Sequence, residues 1–266
     1  MKRTAVALTG GLALALTAAV PALADDHESS VSVLHGVPGL TVDVYVNGEE
    51  AIPDFAPGTL TDPLTLAAGT YDIAVYADGS DPETDEPAIS AEGLEVPGGA
   101  NLTLVAHLGA DGTPTLSAFA NDTSQLEAGE ARLTVRHTAA APAVDVRAGG
   151  EAVIQGLENP DEQVLDLPAG TVSADVVAAG TDTVVLGPAD LPLTEGVNTI
   201  VYAWGSLDDD NLDLAVQTID GLHGDPGGVP SGEAGLMGGS SAALWILAAA
   251  GAAGVALASR RLATQR

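Results

Sequence analysis

The chain has 266 residues, 46% of them apolar and 3% aromatic, with no cysteine and a formal charge of −29. All 37 acidic residues lie between Asp25 and Glu233, where only Arg132, Arg136 and Arg147 oppose them, so that stretch carries −34. A surface of this sign argues against nucleic-acid binding and against docking on an anionic bilayer face. The lack of cysteine excludes disulfides and any zinc, iron–sulfur or thiol chemistry built on that residue.

Lys2 and Arg3, the apolar run 5–20 and then Pro21-Ala22-Leu23-Ala24 form the three zones of a secretory signal peptide over residues 1–24. Past it, helical periodicity is missing. Short alternating or β-branched runs separated by Gly, Pro, Asp and Asn predict strands over 31–35, 41–46, 64–66, 70–76, 88–96, 102–108 and 115–119. Residues 122–130 read as a linker. A second series follows at 133–137, 143–147, 163–167, 171–178, 183–191, 199–204 and 212–218. About seven short strands per module, over 25–121 and 131–219, predict an all-β chain of two tandem immunoglobulin-like antiparallel β-sandwich modules. Gly-rich residues 220–241 read as a stalk.

Residues 242–259 form a second apolar run, about 27 Å long as a helix, against a hydrocarbon core of about 30 Å. Arg260, Arg261 and Arg266 follow it, which predicts a single C-terminal transmembrane helix with a cytoplasmic tail at 260–266. Together with the leader, this places the modules outside the cell and makes the lipid bilayer, through residues 242–259, one partner. The other partner would be an unidentified extracellular one. A Leu-Pro-any-Thr-Gly sorting signal is not matched; Val229-Pro230-Ser231-Gly232 is the nearest stretch, so a retained span is expected.

The two modules repeat one another. His35 and His137 are 102 positions apart, as are Asp43 and Asp145, and Leu66-Ala67-Ala68-Gly69-Thr70 answers Leu167-Pro168-Ala169-Gly170-Thr171. One supersecondary plan is therefore used twice. The segment from His137 through Pro142 to Val144-Asp145-Val146, with the later Leu-Pro-Ala-Gly-Thr element, resembles the start and the strand–turn element of the domain of unknown function 4397 family. The resemblance covers nearly all of residues 31–219 as two copies. It implies a secreted or surface-anchored β-sandwich module, often in tandem, with no established activity and no catalytic residue to carry over.

The duplicated His and Asp suggest acid–base or metal chemistry. Their parity argues for a structural part instead: His35 continues the Val33 face and His137 the Val135 face, so both should point inward and hydrogen-bond the following loop. No Gly-x-Ser-x-Gly elbow, His-Glu-x-x-His helix or phosphate loop is present. Three readings of the acidity stay open: a solvated surface, adaptation to high salt, or Ca²⁺ binding. The Ca²⁺ candidates are Asp78, Asp81, Glu83 and Asp85 in one loop and Asp208 and Asp210 in another, neither with EF-hand spacing. No other cofactor is expected. Aromatic platforms for sugar or choline are scarce; Tyr202 and Trp204 share a parity, so one could face outward, with core filling the default. The expectation for function is a non-enzymatic cell-surface protein displaying two acidic modules for adhesion, envelope structure or protein interaction. The alternative is an extracellular module that binds Ca²⁺ or a small ligand.

Overall fold

The computed structural model describes residues 28–223, which lie within one compact unit. The first module holds β1 (Ser29–Gly36), β2 (Val42–Val46), β3 (Glu49–Phe55), β4 (Leu64–Leu66), β5 (Gly69–Ala77), β6 (Ile89–Val96), β7 (Asn101–Leu108) and β8 (Pro114–Ala120). The second repeats the series as β9 (Glu130–Ala140), β10 (Val144–Ala148), β11 (Glu151–Leu157), β12 (Glu162–Pro168), β13 (Gly170–Ala178), β14 (Val184–Leu193), β15 (Asn198–Ser206) and β16 (Asp213–Ile219). Among the described residues there is no helix, and none long and apolar enough to cross a membrane. The expected leader, stalk and span at 242–259 lie outside the described residues.

The strands form four four-stranded sheets. In module 1 the order is β4-β1-β7-β8 in one sheet and β3-β2-β5-β6 in the other, and module 2 repeats both orders eight strand numbers on. Each pair of sheets faces inward on an apolar core. Val31, Val33, Val42, Val44, Ile73 and Leu104 belong to the first, and Leu133, Val135, Val144, Val146, Val176 and Leu193 to the second. The period-2 alternation of Val42, Val44 and Val46 against Asp43 and Tyr45 puts one face of β2 on that core. Full burial of each such side chain contributes about 1.5–3 kcal/mol.

Three features depart from the expectation. Each module has eight strands, because β3 and β11 were not anticipated. Pro53 and the acidic Glu49 and Glu50 mark β3 as an edge strand and weaken its pattern. Its entry is nonetheless encoded: Val46 pairs with Glu49 across the two-residue turn Asn47-Gly48, whose φ angles of 52° and 81° are those of a type I′ hairpin. Second, one sheet of each module is mixed rather than antiparallel, since β1 runs parallel to β7 and β9 parallel to β15, while the other sheet of each module is antiparallel throughout. The strands between them in sequence include those of the opposite sheet, and these supply the long crossover that parallel pairing needs.

Third, the modules are not separate beads. Along β7, Leu102, Leu104 and Ala106 face the core of module 1, while Val105 on the opposite face joins a third apolar cluster with Leu34, Phe119, Ile200, Tyr202 and Trp204. The outer faces of β1, β7 and β8 thus pack on those of β9, β15 and β16. The four sheets stack as four layers with three interiors.

Candidate functional site

The Val-Asp-Val motif shared by both copies explains itself at the hairpin. Opposite Asp43 the β2–β3 register slips, and the same slip recurs opposite Asp145 between β10 and β11. The bulge residue has positive φ in both copies, Asp54 at 51° and Gly156 at 64°. Its amide donates to the carboxylate of the motif, from Asp54 N to Asp43 Oδ1 at 2.9 Å and from Gly156 N to Asp145 Oδ1 at 2.7 Å. Asp145 Oδ2 also accepts from Gly180 N at 2.8 Å, and these two amides, Gly180 first, hold its carboxyl below the usual range.

Here the copies part. Module 2 places Gly156 and Ala179 around Asp145, whereas module 1 places Asp54 and Asp78 around Asp43. Carboxylate oxygens of Asp43, Asp54 and Asp78 lie within 4.8 Å of one another, Asp43 half-buried and the others exposed. Three hard oxygen donors at this spacing are a partial coordination shell of the kind Ca²⁺ takes, with six to eight oxygens at about 2.3–2.6 Å. Of the six candidates read from the sequence, only Asp78 joins this group. Asp81 Oδ1 accepts from Glu83 N at 3.0 Å and Asp85 Oδ2 from Asp81 N at 2.8 Å, so these two carboxylates cap the amides of their own turn. Among the described residues Asp81, Glu83 and Asp85 form no convergent group of three, and Asp208 and Asp210, in an exposed turn where Asp210 has φ 53°, belong to none either. Asp43, singled out with His35, was set aside as part of a structural pair, and Asp54 looked like one acid among many. The signal was Asp54 standing opposite a glycine in the other copy.

The histidines are buried parts of the scaffold. His35 is 1% exposed, Nε2–H donates to Leu40 O at 2.8 Å, and the ring lies 5.6 Å from that of Phe55. His137 repeats this, donating to Pro142 O at 3.0 Å. His107, unremarked in the sequence, donates from Nδ1 to Leu108 O at 2.9 Å and accepts at Nε2 from Ser117 Oγ at 2.9 Å. Burial lowers the pKa of all three, and for His107 the nearby His137 adds to the effect. His35 and Asp43, and likewise His137 and Asp145, spend their polar atoms on different partners.

Between the modules a polar network threads the apolar cluster. Arg136, 0% exposed, donates from Nε to Glu162 Oε2 at 2.7 Å and from Nη1 to Tyr202 Oη at 2.7 Å. Tyr202 in turn donates to Gln217 Oε1 at 2.6 Å, which also accepts from Thr103 Oγ1 of module 1 at 3.0 Å. The Arg136 guanidinium centre sits 4.4 Å from the Phe119 ring centroid, again across the boundary. Asn159 Nδ2 bridges the modules as well, donating to Leu108 O at 2.9 Å and to Ala139 O at 2.6 Å. Tyr202 and Trp204 both leave the core of module 2 and both enter this interface. Gly58 of module 1 comes so close to Trp204 that a Cβ there would lie 2.9 Å from Cζ2. Arg132 and Arg147 are ion-paired too, to Asp122 and Asp166 and to Asp175 and Asp182. The three arginines of the described residues are thus all spent on internal structure.

Residues 29–147 match the model of a family described as a domain of unknown function (DUF4397). The match runs through all eight strands of module 1, through β9 and into β10. No curated protein matches the chain.

Proposed function

We propose that the protein is a non-enzymatic cell-surface display protein whose two modules form one stiff acidic body for adhesion, envelope structure or protein interaction. The observation that carries this reading is the buried inter-module interface. Tyr202, Ile200 and Arg136 are each 0% exposed there, so the modules present fixed rather than independently tumbling faces. The buried histidines and arginines, the groups most able to do chemistry, are spent on scaffold contacts. On this reading residues 1–24 export the chain and residues 242–259 anchor it, with both modules outside. We further take the modules to be immunoglobulin-like and tandem copies of the DUF4397 domain, because strand orders, the hairpin slip and the inward histidine recur in both. Deleting residues 242–266 tests the anchor. Release of the truncated protein into the medium is expected, and a truncated protein that stays with the cells refutes it.

A second reading has one specific support, the Asp43, Asp54 and Asp78 carboxylates within 4.8 Å, which favour Ca²⁺ binding at the hairpin end of module 1. Calorimetric titration of the full chain tests it. Saturable heat at millimolar Ca²⁺, abolished by Asp43→Asn with Asp78→Asn, is expected. No heat, or heat unchanged in the double variant, overturns this reading while leaving display intact.

A further inference from the structure

The core of module 1 does not close. A cavity of about 300 Å³ lies between its sheets, floored by Val33, Val44, Ile73, Leu104 and Ala106. Of its lining side chains only Thr65 and Tyr71 carry a polar atom, and the Tyr71 hydroxyl already donates to Ala67 O at 2.8 Å. Protein interiors are close-packed, with few voids larger than a water molecule. A volume of this size would hold about ten waters, yet a buried water needs two to four polar partners and these walls offer almost none. The space is suited to an apolar guest.

The strand plan explains where such a guest enters. On one flank of the sandwich β6 and β8 touch, and in module 2 the edge strands β11 and β12 also meet. Contact between the corresponding β3 and β4 is sparser, because β4 spans only Leu64–Leu66 whereas its counterpart β12 spans Glu162–Pro168. Pro63 precedes β4 and its Leu64 side is left 41% exposed, an apolar residue at the lip of an apolar cavity. Ala51 and Ile52 of β3 line the opposite lip.

Size and charge select the guest. A cavity of about 150 Å³ with similar walls takes benzene, so twice that volume takes about ten to twelve carbons. The volume also sits at the lower end of the range for small-molecule sites. From residue 28 to residue 131 the chain has no lysine or arginine, while Glu49, Glu50 and Asp62 flank the two lips. A fatty carboxylate would bring its charge to a negative rim with no cation to pair it. We propose that module 1 binds an uncharged apolar molecule of about ten to twelve carbons, of the fatty-alcohol or small-terpenoid class, between its two sheets, entering between β3 and β4. This inference does not rest on the display reading, since it concerns the interior of one module wherever the protein resides.

The test is photolabelling of the full chain with a ten-carbon alcohol carrying a mid-chain diazirine, with sites mapped by mass spectrometry. Labels are expected on cavity residues such as Val46, Leu66 and Tyr71. They should be competed by 1-decanol and at least tenfold less well by decanoate. Ala106→Leu, which fills the floor, should cut labelling at least fivefold with no loss of thermal stability. Leu64→Glu, which puts a charge on the exposed lip without touching the core, should cut it as well, and keeps the test decisive if the filled variant misfolds. Labelling spread over the outer surface, labelling equally competed by decanoate, or labelling unchanged in Leu64→Glu overturns the proposal.

Discussion

Truncating Arg136 should separate the value of its charge from the value of its bulk. The side chain is wholly buried between modules, yet its Nη2 finds no hydrogen-bond partner among the described residues. Glu162, its ionic partner, keeps 32% of its side chain in solvent and can be rehydrated if the arginine goes. The guanidinium therefore carries a desolvation cost of several kcal/mol that is only partly repaid by Glu162, by Tyr202 and by about 2 kcal/mol of cation–π attraction to Phe119. Arg136→Ala removes the stem as well and opens a void beside Phe119 and Tyr202, for a loss of about 3–5 kcal/mol. Arg136→Met keeps the stem and removes the charge, and should fall within about 1.5 kcal/mol of the parent. Urea unfolding of the full chain, followed by tryptophan fluorescence and far-ultraviolet circular dichroism, reads both. Equal losses in the two variants would show that the charge itself holds the interface and would refute this accounting.

Because burial lowers the pKa of His35, His107 and His137, the unfolded chain takes up protons near pH 6.5 before the folded chain does. Stability is then intact above that pH and falls as the pH drops below it; Tm measured from pH 7 to 5 at fixed ionic strength should decline, and should decline less in His107→Gln. A flat or rising profile contradicts the neutral-histidine assignment. Gly48→Ala meets no atom within 4 Å, so its cost is that of an L-residue at φ 81°, about 1–2 kcal/mol, whereas Gly170→Ala, also unobstructed but without positive φ, should cost less than about 0.5 kcal/mol. Comparable Tm losses in the two variants would remove the type I′ turn from the explanation. Raising NaCl from about 0.05 M to about 1 M shortens the screening length to about 3 Å, so Tm should climb if self-repulsion of the acidic surface matters, and an unchanged Tm would discount adaptation to salt.

Within each module the sandwich was legible because its strands alternate cleanly. Val42 and Val44 face in and Asp43 faces out, and the inward histidines followed from parity alone. The stacking of modules was not legible, for a physical reason. Thr103, Thr134, Arg136 and Gln217 look like a solvent face in sequence, and they remain polar in an interface only because Thr103 meets Gln217 and Thr134 meets Asn198. One clue was present: the run Ile200 to Trp204 is apolar on both parities, as a strand buried on both sides must be. Of the Asp43, Asp54 and Asp78 group only Asp78 was found, since Asp54 reaches the site through a bulge that no spacing rule predicts. The cavity follows from the length of one edge strand, three residues against seven, a difference visible in neither charge nor hydropathy.

The parallel pairing of each first strand with its seventh has a topological consequence. Ser30, the second residue of β1, lies beside Asn101 at the start of β7, and β8 returns to finish beside Leu102 at Ala120. Module 2 does the same, with Arg132 beside Asn198 and Asn198 beside Ile219, while Leu126 pairs with His223 where the chain leaves. Each module is entered and left at one end. A unit with adjoining ends can be copied in place by a single joining segment, here residues 121–129, without rethreading either sheet. A second module of the same strand plan then needs no new fold, only a loop short enough to let it lie down on the first.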